Sequence, residues 1–411
     1  MVRSLIRSAV VASSLALALA TGTSSAQAAC AFENDVPVSM LAPGFPAWKA
    51  IADAAGECGN FSAELDQEFR SKQVPAMQAD PSLYTVAGLN AATFASLTES
   101  RLLRPLDDLL AEHAPDMPDR RKVRIDGQTY AIAVMVNAQH LLYRSDVFEE
   151  LGLEPPSTYA EMLEVAAAIQ DAGTVRYPIG GTFKSGFDIG EEFINMYLGH
   201  GGALLGPDNE LTLDREAGRA TLETLRAMTE FMDPEFTVSD STYVQQQFQQ
   251  GDIAITNLWA SRAGAMDDEG ESSVAGLVAS APAPAAIEGG APASTIWWGG
   301  WGIAQNVTDE EAEAAFRVML EGSDREMVEA NNDLNIWLIE GYEPPALAQG
   351  ALATMEGGAP NYPASAAMAM LHAELGQVVN DYVTGQADAD AVLDDIERRY
   401  ETAARREGLI Q

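Results

Sequence analysis

Apolar residues fall into two alternating rhythms along this chain. Short runs at residues 36–41, 83–87, 141–143 and 253–258 end at glycine, proline or polar turns and predict strands. Between them, apolar positions recur at helical spacing. Residues 47–57 predict a first helix, and Leu106, Leu109 and Leu110 lie on a second after the turn at residues 101–105. Thr158-Tyr159-Ala160-Glu161 reads as a capping box ahead of Met162, Leu163, Val165, Ala166 and Ile169, and Thr308-Asp309-Glu310-Glu311 repeats the pattern before Ala315, Phe316, Val318 and Met319. Asp214 caps a further helix bearing Ala217, Leu222, Leu225 and Met228, and residues 364–406 are helical with a break near Thr384-Gly385. Asp126-Gly127 marks a hairpin between residues 123–125 and 129–136. The Pro/Ala/Gly-rich stretch at 279–293 reads as a loop or crossover. Strands alternating with helices predict α/β layers with largely parallel sheets.

The N-terminus carries an export pattern. Arg3 and Arg7 precede an apolar run at residues 9–20 that is too short to span a bilayer, and Ala26-Gln27-Ala28 supplies small residues for cleavage after Ala28. Gln27 stands where a lipid-attachment motif has a large apolar residue, so anchoring through Cys30 is not expected, and a periplasmic location is. An exported chain with two cysteines, Cys30 and Cys58, predicts a disulfide, with free thiols as the alternative.

Charge narrows the partners. With 24 Lys+Arg against 61 Asp+Glu in 411 residues, the formal net charge is −37, which excludes nucleic acid and disfavours an anionic membrane surface. Only four basic residues are lysines (Lys49, Lys72, Lys122 and Lys184), a balance suited to saline surroundings or to an acidic, Ala-rich proteome. An apolar share of 47% is still that of a globular protein, and at this length more than one core is expected.

The common catalytic patterns are missing. The histidines His113, His140, His200 and His372 are scattered without metal-ligand spacing, so no metal or cofactor is expected. There is no Gly-x-Ser-x-Gly elbow, and Lys184-Ser185-Gly186 has the wrong order for a phosphate loop. Aromatic placement is what stands out. Trp297-Trp298-Gly299-Gly300-Trp301-Gly302 holds three of the six tryptophans beside three glycines. Indole faces pack on the C–H faces of sugars or on ammonium groups. A structural cluster at a strand edge is the alternative. Phe45, Tyr84 with Asn90, and Trp259 flank predicted strands, where open α/β sheets place ligands, and Asp188, Asn257 and Arg262 are available for hydroxyls.

Taken in order, four stretches resemble the extracellular solute-binding proteins of ABC importers, of the maltose-binding, carbohydrate-recognising type. The stretch from Asp126 to Phe148 is similar to that family's first interlobe crossing, and Pro156-Ser-Thr-Tyr-Ala-Glu-Met-Leu163 to its Pro-x-Thr-Trp-x-Glu-Leu helix start. Phe248-Gln-Gln-Gly-Asp-Ile-Ala-Ile-Thr-Asn-Leu-Trp259 resembles its Phe-x-x-Gly-x-Ala-Ala-Met strand. Gly299-Gly300-Trp301-Gly302-Ile303-Ala304 resembles a cleft-lining segment. The resemblance implies a two-lobed periplasmic-binding-protein fold (type II), each lobe a mostly parallel sheet flanked by helices. Lobe 1 would comprise residues 29–137 and about 279–334, and lobe 2 residues 138–278 and about 335–411. It implies a ligand site drawn from Phe45, Tyr84, Asn90, Phe187, Asp188, Trp259, Trp298, Gly300 and Trp301. The usual late aromatic is missing at Ala366, Ala367, Met368 and Ala369, with only Tyr362 near, which favours a ligand smaller or less polar than a maltodextrin.

The expected function is capture of a small carbohydrate by hinge closure and delivery to the importer's membrane permease, by a monomer without catalysis. The same fold binding a betaine- or polyamine-like osmolyte is the alternative, because indoles with Asp188 suit a cation. An exported glycan-active enzyme is a third reading.

Overall fold

The computed structural model describes residues 30–411, so the export segment lies outside the described residues. Among the described residues there are eleven strands: β1 (Val38–Pro43), β2 (Phe61–Asp66), β3 (Val86–Asn90), β4 (Lys122–Ile125), β5 (Gln128–Asn137), β6 (Gln139–Arg144), β7 (Tyr177–Gly180), β8 (Ile253–Trp259), β9 (Val278–Ala281), β10 (Trp297–Ile303) and β11 (Ile336–Trp337). They form two sheets, ordered β11-β5-β10-β3-β1-β2 with β4 beside β5, and β7-β8-β6-β9. Each sheet carries its own core. Trp48, Ile51, Trp301 and Phe316 centre the first, and Phe193, Ile194, Leu222, Leu375 and Tyr400 the second.

This is the expected two-lobed α/β plan, but the sheets are mixed rather than largely parallel. β1 pairs in parallel with β2 and β3, and β7 with β8, while the pairings of β10, β5, β4, β11, β6 and β9 are otherwise antiparallel. The cause is the hinge. β5 ends at Asn137 and β6 starts at Gln139, so the chain runs almost straight from one sheet into the other. β10 comes back from the second lobe, so it enters the first sheet against the direction of β3. Two short strands join sheets that the sequence pattern did not assign them to. β9, from residue 278, pairs with β6 in the second sheet, and β11, beyond residue 334, pairs with β5 in the first. Runs of two and four residues are too short for periodicity to assign.

Local signals are met where side chains close on the backbone. Asp126 and Gly127 adopt φ of 50° and 84°, the doubly left-handed turn a two-residue hairpin needs. Thr308 and Glu311 form a full capping box. Thr158 caps its helix, but Glu161 reaches back to Ser157 instead. The disulfide Cys30–Cys58 closes a span of 28 residues and ties the segment ahead of β1 to the end of the helix Pro46–Gly56.

Candidate functional site

A cavity of about 450 Å³ opens between the two sheets. Its walls are loops that leave the carboxyl ends of parallel strands: Pro43 and Phe45 after β1, Gln67 to Ser71 after β2, Asn90 at the end of β3, and Lys184 to Asp188 beyond β7. Trp259 closes β8, and Trp298 enters from β10.

Six residues expected from the sequence meet here: Phe45, Asn90, Phe187, Asp188, Trp259 and Trp298. Asn90 spends its side-chain oxygen capping the helix Ala91–Glu99 through the amide of Thr93, at 2.9 Å, which leaves its NH₂ for the cavity. Three expected residues lie elsewhere. Tyr84 precedes β3 and so sits at the strand's far end from the cavity, donating its hydroxyl to Glu64 at 2.5 Å. Gly300 is buried, because a Cβ there would lie 2.3 Å from the Ile132 carbonyl oxygen. This close strand approach is needed at the bulge where β10 passes β5. Trp301 is fully buried in the first core, edge-on to Phe316 at 5.5 Å, with its indole N–H 3.3 Å from the Ser323 hydroxyl. Asn257 is likewise buried, donating to the Tyr159 hydroxyl at 3.2 Å behind the site.

The structure adds cavity residues that the sequence did not single out. Chief among them are Arg70 and Asp240. Arg70 opens the helix Phe69–Gln78, which contains Pro75 and shows little periodicity. The position of Gln67–Ser71 directly after β2 was the available signal. Asp240 caps the helix Ser241–Gln249 and holds the Lys184 ammonium at 3.1 Å. Arg262 donates to Gln245 and Ser241, each at 3.2 Å.

Behind the cavity lies a buried polar layer. Glu191, on the helix Phe187–Gly199, accepts from Thr295 at 2.6 Å and from the Trp297 indole N–H at 2.8 Å; its second oxygen has no hydrogen-bond partner among the described residues. Glu192 accepts from Thr182 and from Gln139, the latter at 2.8 Å. Burial pushes both carboxyls up to about 7. Asp188 is raised to about 7 as well, by burial first and the neighbouring Asp240 second. Burial pushes His372 down to about 4, so its ring is neutral. It lies 2.8 Å from the Phe187 carbonyl and 2.9 Å from the Tyr362 hydroxyl. Because the Phe187 carbonyl can only accept, the His372 proton sits on Nε2, and Nδ1 accepts from Tyr362.

Two mixed sheets facing each other across an aromatic cavity, with walls from both, define a two-lobed solute-binding architecture. Residues 67–319 match the model of the bacterial extracellular solute-binding proteins, and the chain belongs to that family. Solved structures share the fold at low identity. An ABC transporter solute-binding protein from Agrobacterium radiobacter K84, in complex with ribitol, aligns with a TM-score of 0.80 and 19% identity over 90% of this chain and 100% of that one. One from Agrobacterium vitis S4 with bound D-mannitol gives 0.73 and 18% over 90% and 99%. Maltose-bound T. maritima MalE3 gives 0.74 and 18% over 89% and 99%.

Proposed function

We propose that this protein is the exported, monomeric substrate-binding component of an ABC importer. It captures a small carbohydrate or polyol between its lobes and hands it to the membrane permease. The carrying observation is the half-buried indole of Trp259, which together with Trp298 and Phe45 lines a cavity walled by both lobes. About 450 Å³ falls at the lower end of the roughly 300–1,000 Å³ typical of small-ligand pockets. A mono- or disaccharide suits that volume better than a long glucan. We take lobe 1 as residues 30–137 with about 297–337, and lobe 2 as about 139–281 with about 349–411. Ligand touches both lobes only when they are closed, so it shifts the population toward closure. The bound ribitol, mannitol and maltose of the structural relatives support this ligand class. We assign no catalytic role to the cavity carboxylates.

The cationic-osmolyte reading is weakened by the positive groups already in the cavity, Arg70, Lys184 and Arg262, the first with its guanidinium 3.9 Å from the Phe187 ring centre. A thermal-shift screen of the mature protein against monosaccharides, polyols, maltose and betaines tests the proposal. A ligand at 100 times its Kd should stabilise by about 2.7 kcal/mol. Silence toward every sugar and polyol, with a response to betaine or polyamine, would sink it.

A further inference from the structure

We propose that the favoured ligand carries a carboxylate, as in an aldonic or uronic acid, and that Arg70 with Arg262 reads it; this rests on the carbohydrate reading above. In a chain with 61 acidic residues against 24 basic ones, most cations near carboxylates should find one. These two do not. Among the described residues no carboxylate oxygen lies within 4.0 Å of either guanidinium, although Asp188, Asp240 and Glu68 line the same cavity. Lys184 takes Asp240, and Arg262 is held only by the neutral Gln245 and Ser241.

Arg70 is set in place by rings. Its guanidinium carbon lies 3.9 Å from the centre of Phe187 and 4.8 Å from that of Phe69. Phe187 also stacks on His372 at 4.5 Å and 20°. Two planar groups that close to one ring take opposite faces, so Phe187 has no face left for a sugar. It orients Arg70 instead. None of the Arg70 N–H groups has a protein acceptor among the described residues, which leaves the fork turned to the cavity and wetted through the open cleft. A guanidinium fork with free parallel donors matches a carboxylate in two bonds, which a hydroxyl cannot supply. Trp259 and Trp298 remain for the C–H faces of the sugar.

Asp188 shares this space and faces Arg70 from the other lobe, Arg262, Lys184 and Asp240, with Glu191 and Glu192 on its own helix. A buried carboxyl beside Asp240 takes up a proton readily. The charge that an arriving anion meets at Asp188 therefore grows as the carboxyl loses its proton around pH 7, and binding should weaken as pH rises from 6 to 8.

The test is calorimetry on the mature protein with matched pairs: D-glucuronate and D-gluconate against D-glucose and sorbitol, and D-galacturonate against D-galactose. At least one acid should bind about tenfold or more tightly than its neutral counterpart, and Arg70→Gln should cut that preference by about tenfold. Arg262→Gln should cut it too. Neutral members bound as tightly as their acids in every pair, or a preference that survives both substitutions, overturns the assignment while leaving the carbohydrate reading intact. No heat from any member of any pair overturns the acid assignment, and the carbohydrate reading falls with it only if the wider screen of sugars and polyols is silent too.

Discussion

Trp259 and Trp297 meet edge to face, 6.3 Å apart at 84°, yet they belong to different parts of the machine. Trp297 opens β10 in the first sheet, but its indole is packed into the second lobe's core, 5% exposed. Its ring stacks on Tyr362 at 3.8 Å and its N–H goes to Glu191. Trp259 closes β8, is half-buried, and has no hydrogen-bond partner for its indole among the described residues. The first pins one lobe to the other with every face and donor satisfied. The second keeps a face and a donor to spend on a ligand. An aromatic in a cleft is assigned by what it has left, not by where its backbone lies.

The largest effect that tests this contrast is on stability. Trp297→Ala empties a core position and strips a donor from the buried Glu191, so it should cost about 3–5 kcal/mol. Trp259→Ala should cost less than half as much, since its ring is partly in water already. Urea unfolding midpoints of the two variants measure both. Equal losses would erase the distinction between pin and platform.

A second test uses acidity to separate the layer behind the cavity from its open front. Glu191 and Glu192 keep their protons up to about pH 7 in the folded state, whereas the unfolded chain loses them near 4.5. The folded form therefore binds more protons across that window, and stability falls as pH rises through it. The slope is worth on the order of 3 kcal/mol per carboxyl. Surface carboxylates are already ionised in both states above about pH 5.5 and add little there. Glu191→Gln should flatten the fall between pH 5.5 and 8, and Trp259→Ala should not change it. Denaturation curves at several pH values decide this; a slope unaffected by Glu191→Gln would mean that this carboxyl is ionised throughout.

The sequence disclosed the parts of this arrangement that local chemistry dictates. The Asp126-Gly127 turn, the Thr308–Glu311 cap and the placement of Trp259 at a strand's end all follow from neighbours in the chain. What it hid depends on distant partners. β10 keeps its alternation along β3, and the extra residue at the Gly299–Gly300 step is Val134 of β5; Trp297 and Trp301 still go to the cores of different lobes and Trp298 to the cavity, a division set by distant partners rather than by a two-residue rhythm. Arg70 gains its meaning only from Phe187, across the cleft. The expectation of largely parallel sheets gave way to mixed ones, because β5, β6 and β10 near the crossings between the sheets, the β4–β5 hairpin and the short β9 and β11 all pair antiparallel.

A third test reads the front of the cavity. Once a ligand is found, Trp259→Ala should weaken it by about 10- to 100-fold, the worth of one buried aromatic face. Titration calorimetry would show it, and an unchanged Kd would move the platform to Trp298.

The smallest expected effect concerns Trp301, whose neighbours in sequence make it look like a third cleft aromatic. Its ring lies opposite Gly88 and Ile132 in the sheet and against Phe316 in the core. Trp301→Phe keeps an aromatic ring in that place and removes only the second ring and one N–H. Ser323, which receives that N–H, already donates to the Met319 carbonyl, so no buried donor is stranded. The loss should be about 1–2 kcal/mol in unfolding, with ligand affinity unchanged. A variant that keeps its stability but loses affinity would place Trp301 among the cavity residues and remove the reason for treating adjacent indoles of one strand as separate in role.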